Sequence, residues 1–134
     1  DPECQTILPK LSSDFSEIIY SCCNGKLEET KIEWNNKKSL CVVLCSKGYP
    51  ETYQKNLEIN NINNIKFKSD DYLFHAGTIK KGDNIFSIGG RVLNFVSLSN
   101  SFAEARNVIH KHINNLNWPG GFFRKDIGYK VIDK

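Results

Sequence analysis

The stretch RVLNFVSL (91 to 98) followed by SNSFAEARNVIHKHINNL constrains this 134-residue chain more than any other. The first part reads as a strand rich in β-branched and apolar residues. The second switches period: Phe102, Ala105, Ile109, Ile113 and Leu116 recur at intervals of three and four, behind Ser101 and Glu104 in capping-box spacing. A strand that hands over to a helix with one apolar face calls for a helix packed on a sheet. The class expected is therefore α+β.

The remaining segments fill in that frame. DFSEIIYSCCNG predicts an amphipathic helix, with Asp14 and Glu17 in capping-box spacing, Phe15, Ile18, Ile19 and Cys22 on one face, and Gly25 at its end. TILPKL predicts a short turn with Pro9 near its start, while DPECQ shows no beginning of an element. ETKIEW and LCVVLC read as two strands joined by NNKKS, the second apolar enough to be buried. Residues 50 to 70 read as a loop with short strands. YLFHAGT (72 to 78) and NIFSI (84 to 88) precede RVLNFVSL as further strands of an antiparallel meander, with Lys81-Gly82-Asp83 turning between the first two. WPGG ends the second helix, and FFRKDIGYKVI is expected to return as a final strand pair. Two parts follow: a helix-bearing leader, 1 to 28, and an α+β unit, 29 to 134.

Composition narrows the function classes. The net charge is only +3, with lysines scattered and not gathered into a basic stripe, so no nucleic-acid partner is expected. No apolar run approaches the roughly 20 residues that span a bilayer, and no membrane segment or signal peptide is read. The five cysteines, at 4, 22, 23, 41 and 45, are odd in number, which fits a disulfide framework poorly. Cys41 and Cys45 fall on one face of a strand with no second ligand pair nearby and read as buried reduced thiols. His110 and His112 sit two apart on a helix, point to different faces and read as surface residues. His75 reads as a hydrogen-bonded core or edge histidine, and Arg124 with Asp126 as an ion pair across one side of a strand. No dinucleotide fingerprint or Gly-Lys-Ser/Thr loop occurs. Gly89-Gly90 before Arg91 suits a bend or a surface where the arginine meets an anion, and local chemistry leaves both open. Methionine is wholly absent, position 1 included, which predicts a piece of a longer chain.

Read as one string, the chain resembles the C-terminal part of the phosphoribosylamine-glycine ligase family. The likeness rests on DPECQTILPKLSSDF, VVLCSKGYPETY, FHAGT, GGRVLNFVSL, FAEAR and FRKDIG, in order and across almost the whole sequence. The resemblance implies an ATP-grasp ligase of purine biosynthesis, cytoplasmic, that joins glycine to 5-phosphoribosylamine. ATP is split to ADP and phosphate through a glycyl phosphate, with Mg or Mn assisting. It implies that residues 1 to 28 are the last helix of the ATP-grasp domain, and that 29 to 134 are a small β-rich C-terminal domain of the single-hybrid type, with antiparallel strands and one packed helix. The nucleotide, metal and catalytic residues would then lie in the rest of the protein, and the fragment alone would be inactive, binding neither ATP nor metal. By the same resemblance Arg91, displayed by Gly89 and Gly90, would meet the substrate phosphate; the alternative for Arg91 is an arginine closing a hairpin against the ATP-grasp domain. Asn56, His110 and Gly121 depart from the family pattern, Asn56 standing where a glycine is usual and His110 where a tyrosine is common. Two other functions compete: a stand-alone binding or regulatory module reusing the fold, and a metal or thiol enzyme built on the cysteines.

Overall fold

The computed structural model describes residues 2 to 132. A short helix α1 (Glu3–Ile7) runs into a single turn of 3₁₀ helix at Leu8–Lys10 that carries Pro9 near its start, so the first element begins earlier than the sequence predicts. Helix α2 (Phe15–Cys23) follows. Asp14 caps it, its carboxylate accepting from the backbone amides of Ser16 and Glu17 at 2.7 and 3.2 Å, and Gly25 takes the positive φ of 66° just beyond its end.

Two antiparallel sheets form the body. The larger contains β1 (Lys38–Ser46), β3 (Asp71–His75), β6 (Arg91–Ser99) and β7 (Gly121–Phe122) in the order β3-β6-β1-β7. The smaller contains β2 (Leu57–Glu58), β4 (Thr78–Lys81) and β5 (Asn84–Ser87) in the order β2-β5-β4. Helix α3 (Phe102–Asn114) covers one face of the larger sheet, and a last turn, α4 (Tyr129–Ile132), closes the described chain. Ser101 Oγ accepts from the Glu104 amide at 3.2 Å, as the capping-box spacing predicts.

Strand alternation dictates the core. Leu40, Val42 and Leu44 of β1, opposite Ser97, Phe95 and Leu93 of β6, face α3 and meet Ala105, Ile109 and Ile113. Ile59, Ile62 and Ile65, three residues apart in a polar stretch, belong to the same cluster. The other face of β1 carries Ser39, Cys41, Val43 and Cys45, and α1 lies across it, held where Ser39 Oγ donates to the Thr6 carbonyl at 2.7 Å.

Four expectations need correction. ETKIEW forms no strand: Trp34 makes one isolated bridge to Leu11, because Ile32 and Trp34, both exposed, have no sheet to join. The strands at 72 to 98 are not a simple meander, since β3 pairs with β6 while β4 and β5 form a hairpin in the other sheet. FFRKDIGYKVI is not a strand pair. Only Gly121 and Phe122 join the sheet; Arg124 and Asp126 pair across a turn, where Nε and Nη2 donate to the carboxylate at 3.2 and 2.8 Å. His112 is not a surface residue either. It follows Ala105 and Ile109 on the inward stripe of α3, where Nε2 stands 3.2 Å from Asp71 Oδ2 and the ring packs on Phe67.

Candidate functional site

The chain leaves the larger sheet at Ala76-Gly77 and re-enters it at Gly89-Gly90, and these two crossings lie against each other. Gly77 N donates to the Arg91 carbonyl at 3.0 Å, and the Gly77 carbonyl accepts from Ile88 N at 2.8 Å and Gly89 N at 3.2 Å. There is no room for a side chain. A Cβ on Gly77 would stand 2.5 Å from the Arg91 carbonyl oxygen and 2.7 Å from Gly89 Cα, and one on Gly90 would overlap the Tyr49 ring. Ser46 ties the crossing down, its amide donating to the Gly90 carbonyl and its hydroxyl to the Gly89 carbonyl, each at 2.8 Å. Both glycines thus serve close approach of backbone and ring.

What aims Arg91 is the ladder. Leu44 pairs with Leu93, but the next residue, Cys45, pairs with Arg91, leaving Val92 as an extra residue in β6. On an unbroken strand residues 91 and 94 face opposite sides. The bulge at Val92 turns Arg91 onto the face of Cys45, Val43 and Asn94, and bulges that re-aim a side chain are frequent beside active sites. Burial pushes the Cys45 thiol upward, and Arg91 acts against that shift.

Around this point lies a groove of about 420 Å³ lined by Gln5, Val43, Tyr49, Ala76, Gly77, Gly90, Arg91 and Asn94. Four parts of the fold converge there: α1 through Gln5, β1 through Val43, the loop after β1 through Tyr49, and the glycine crossing with the start of β6. Arg91 is exposed and Gly90 buried, so the cation stands above a floor of backbone. Arginine offers a planar fork of donors that matches phosphate or carboxylate oxygens. A hollow of about 490 Å³ between Lys47, Gln54, Leu57, Glu58 and Trp118 is larger but mostly apolar.

The other candidates fall outside the groove. His75 is exposed, with Nδ1 2.9 Å from Thr78 Oγ1. His110 packs edge-on to Phe123, its Nε2 buried without a partner among the described residues. Burial, with Arg106 and Lys125 nearby, holds its ring below the ordinary imidazole range. All five thiols are free, and burial pushes Cys41 up to about 11. Among the described residues no cluster of three or more His, Cys, Asp or Glu side chains could hold a metal ion. Sequence reasoning singled out Arg91, Gly89 and Gly90 but missed Gly77, Tyr49, Asn94 and Gln5. Asn94 carried a visible signal: it is the polar residue in the middle of VLNFV.

Residues 39 to 130 match the family model for the phosphoribosylglycinamide synthetase C domain. The chain belongs to this family. Among curated relatives, a phosphoribosylamine–glycine ligase of Caldanaerobacter subterraneus subsp. tengcongensis is 43% identical over 127 residues, covering 95% of this chain and 30% of the relative. The bifunctional purine biosynthetic protein purD of Dictyostelium discoideum is 41% identical over 134 residues, 99% of this chain and 16% of its own length. The chain therefore spans about a third or less of these relatives. A crystal structure of phosphoribosylamine–glycine ligase from Thermotoga maritima superposes with a TM-score of 0.62 over 85% of this chain and 28% of that one, at 24% identity, which shows a shared fold. The α+β architecture expected from the resemblance is that of the C domain, with antiparallel strands and α3 packed upon them. Asn56, where the resemblance leads one to expect glycine, takes a positive φ of 59°, the left-handed conformation that glycine adopts without strain.

Proposed function

We propose that this chain is the C-terminal part of a phosphoribosylamine–glycine ligase, and that Arg91 holds the phosphate of 5-phosphoribosylamine at the mouth of its groove. The observation that carries the reading is the bulge at Val92, which turns an arginine onto a groove floored by glycine backbone inside a C domain of this family. In the full-length protein glycine would be activated as a glycyl phosphate at the expense of ATP and attacked by the amine of phosphoribosylamine. Mg or Mn and ATP belong to that activation, and no set of metal ligands for it is found among the described residues of this chain. The part played here is positioning. A guanidinium that holds the phosphate fixes the amine at the far end of the sugar, and correct placement of two reactants lowers the barrier substantially.

The division at residue 28 belongs to the same proposal. Helix α2 buries none of its residues, and Phe15, Ile19 and Tyr20 are 50%, 47% and 71% exposed, as befits a helix whose apolar face packs on the rest of the protein. The same proposal places this ligase in the cytoplasm, acting on small-molecule substrates. A binding module reusing the fold has only the small net positive charge in its favour.

Steady-state kinetics of the full-length enzyme test this reading. Arg91→Ala is expected to raise KM for phosphoribosylamine at least tenfold, with a much smaller effect on KM for ATP. Unchanged KM for phosphoribosylamine would return Arg91 to a structural role at the hairpin.

A further inference from the structure

Asn94 sits among apolar neighbours and is 4% exposed. Its backbone belongs to the β6 ladder, paired with Val43 on one side and Phe74 on the other. Its side-chain amide, however, makes no hydrogen bond among the described residues. Neither amide atom is among the described side-chain atoms sealed from solvent without a partner, so the amide opens on the groove instead of being shut in the core. The residue faces the groove that Arg91 borders, on the side where α1 brings Gln5. Its unused donor and acceptor are therefore presented to whatever the groove holds.

We infer that Asn94 is a positioning residue for the ligand, its amide hydrogen-bonding the hydroxyl-bearing sugar of a pentose phosphate whose phosphate Arg91 holds. This rests on the phosphate reading of Arg91 and adds the second point of attachment. The chemistry matches. A neutral amide offers donors and an acceptor, and a sugar hydroxyl is both donor and acceptor, whereas a phosphate is better served by the cation. Three residues of strand span on the order of 10 Å, and the bulge at Val92 brings both side chains to one face within that span. Two fixed points on one rigid strand hold a sugar phosphate in register, where a single arginine leaves it free to swivel.

The test is calorimetric titration of the full-length protein with two probes, ribose 5-phosphate and inorganic phosphate, alongside thermal denaturation. Asn94→Val is expected to weaken ribose 5-phosphate about tenfold, to leave inorganic phosphate within about twofold, and to leave the melting temperature unchanged or raised, since Val suits a strand and no hydrogen bond among the described residues is lost. Asn94→Ser, which keeps a donor and acceptor, is expected to bind ribose 5-phosphate more tightly than Asn94→Val does. Arg91→Ala is expected to weaken both probes. Ribose 5-phosphate binding unchanged in Asn94→Val, with Arg91→Ala still weakening both probes, overturns the role of Asn94 and spares that of Arg91. A lowered melting temperature with both probes weakened equally by Asn94→Val makes Asn94 structural and also overturns it. Arg91→Ala without effect on either probe, or no binding of either probe to the unaltered protein, overturns both readings together.

Discussion

Gly77 and Gly89 meet backbone to backbone where the chain leaves and re-enters the larger sheet. A Cβ on Gly77 would stand 2.7 Å from Gly89 Cα and 2.5 Å from the Arg91 carbonyl oxygen, atoms that cannot swing aside as a side chain can. Gly77→Ala is expected to destabilise the fold by about 1–3 kcal/mol or more, the scale of overpacking. On Gly89 the nearest atom would be 3.0 Å away, so Gly89→Ala should cost less. Urea denaturation of the two variants checks the order.

A buried network joins the sheet edge to α3. The Asp71 carboxylate accepts from Ser97 Oγ at 2.8 Å and stands 3.2 Å from His112 Nε2, with side-chain exposures of only 5% and 11% for Asp71 and His112. Asp71→Ala should leave His112 Nε2 and Ser97 Oγ without their partner, whereas His112→Ala removes one partner from a carboxylate that keeps Ser97 Oγ and the Lys68 amide. The double variant should then cost less than their sum, by about 0.5–3 kcal/mol. Strict additivity in a double-mutant cycle would show that the contact contributes nothing.

Stability should fall in mild acid through His110. Its ring takes a proton less readily in the folded chain than the ordinary value of 6.5 implies, because burial and the neighbouring Arg106 and Lys125 oppose the charge. The unfolded chain therefore binds more protons as pH drops through 6.5 toward the folded value, and stability present above 6.5 is lost on the way down. His110→Tyr should flatten this part of the profile. Denaturation midpoints between pH 5 and 8 provide the comparison, and identical profiles would contradict it.

The thiols should divide by environment. Burial pushes Cys41 up to about 11, so at neutral pH it carries almost no thiolate, while Cys4, Cys22 and Cys23 are exposed. Timed alkylation with iodoacetamide, read residue by residue by mass spectrometry, should label those three before Cys41.

The legible parts of the sequence were those governed by local rules. Asp14 and Ser101 announce their helices because capping is decided within four residues, and Leu40, Val42 and Leu44 announce the core because strand alternation is. ETKIEW misleads because alternation of Ile32 and Trp34 reports a potential for pairing and says nothing of whether a partner strand exists. His112 was misjudged because its partner, Asp71, lies 41 residues away. Arg91 could be singled out, but not its orientation: the bulge at Val92 depends on the register between β1 and β6, two strands adjacent in the sheet but far apart in the sequence. Tyr49, Gly77 and Gln5 join the groove only after the chain has crossed between sheets.

A crystal structure of the full-length protein with the product that the proposed function assigns to it, the ribonucleotide of glycinamide, tests the central claim most directly. Phosphate oxygens about 2.7–2.9 Å from the Arg91 guanidinium, within the groove floored by Gly77 and Gly90, are the predicted result. A phosphate held elsewhere, with Arg91 turned against the rest of the protein, would contradict it.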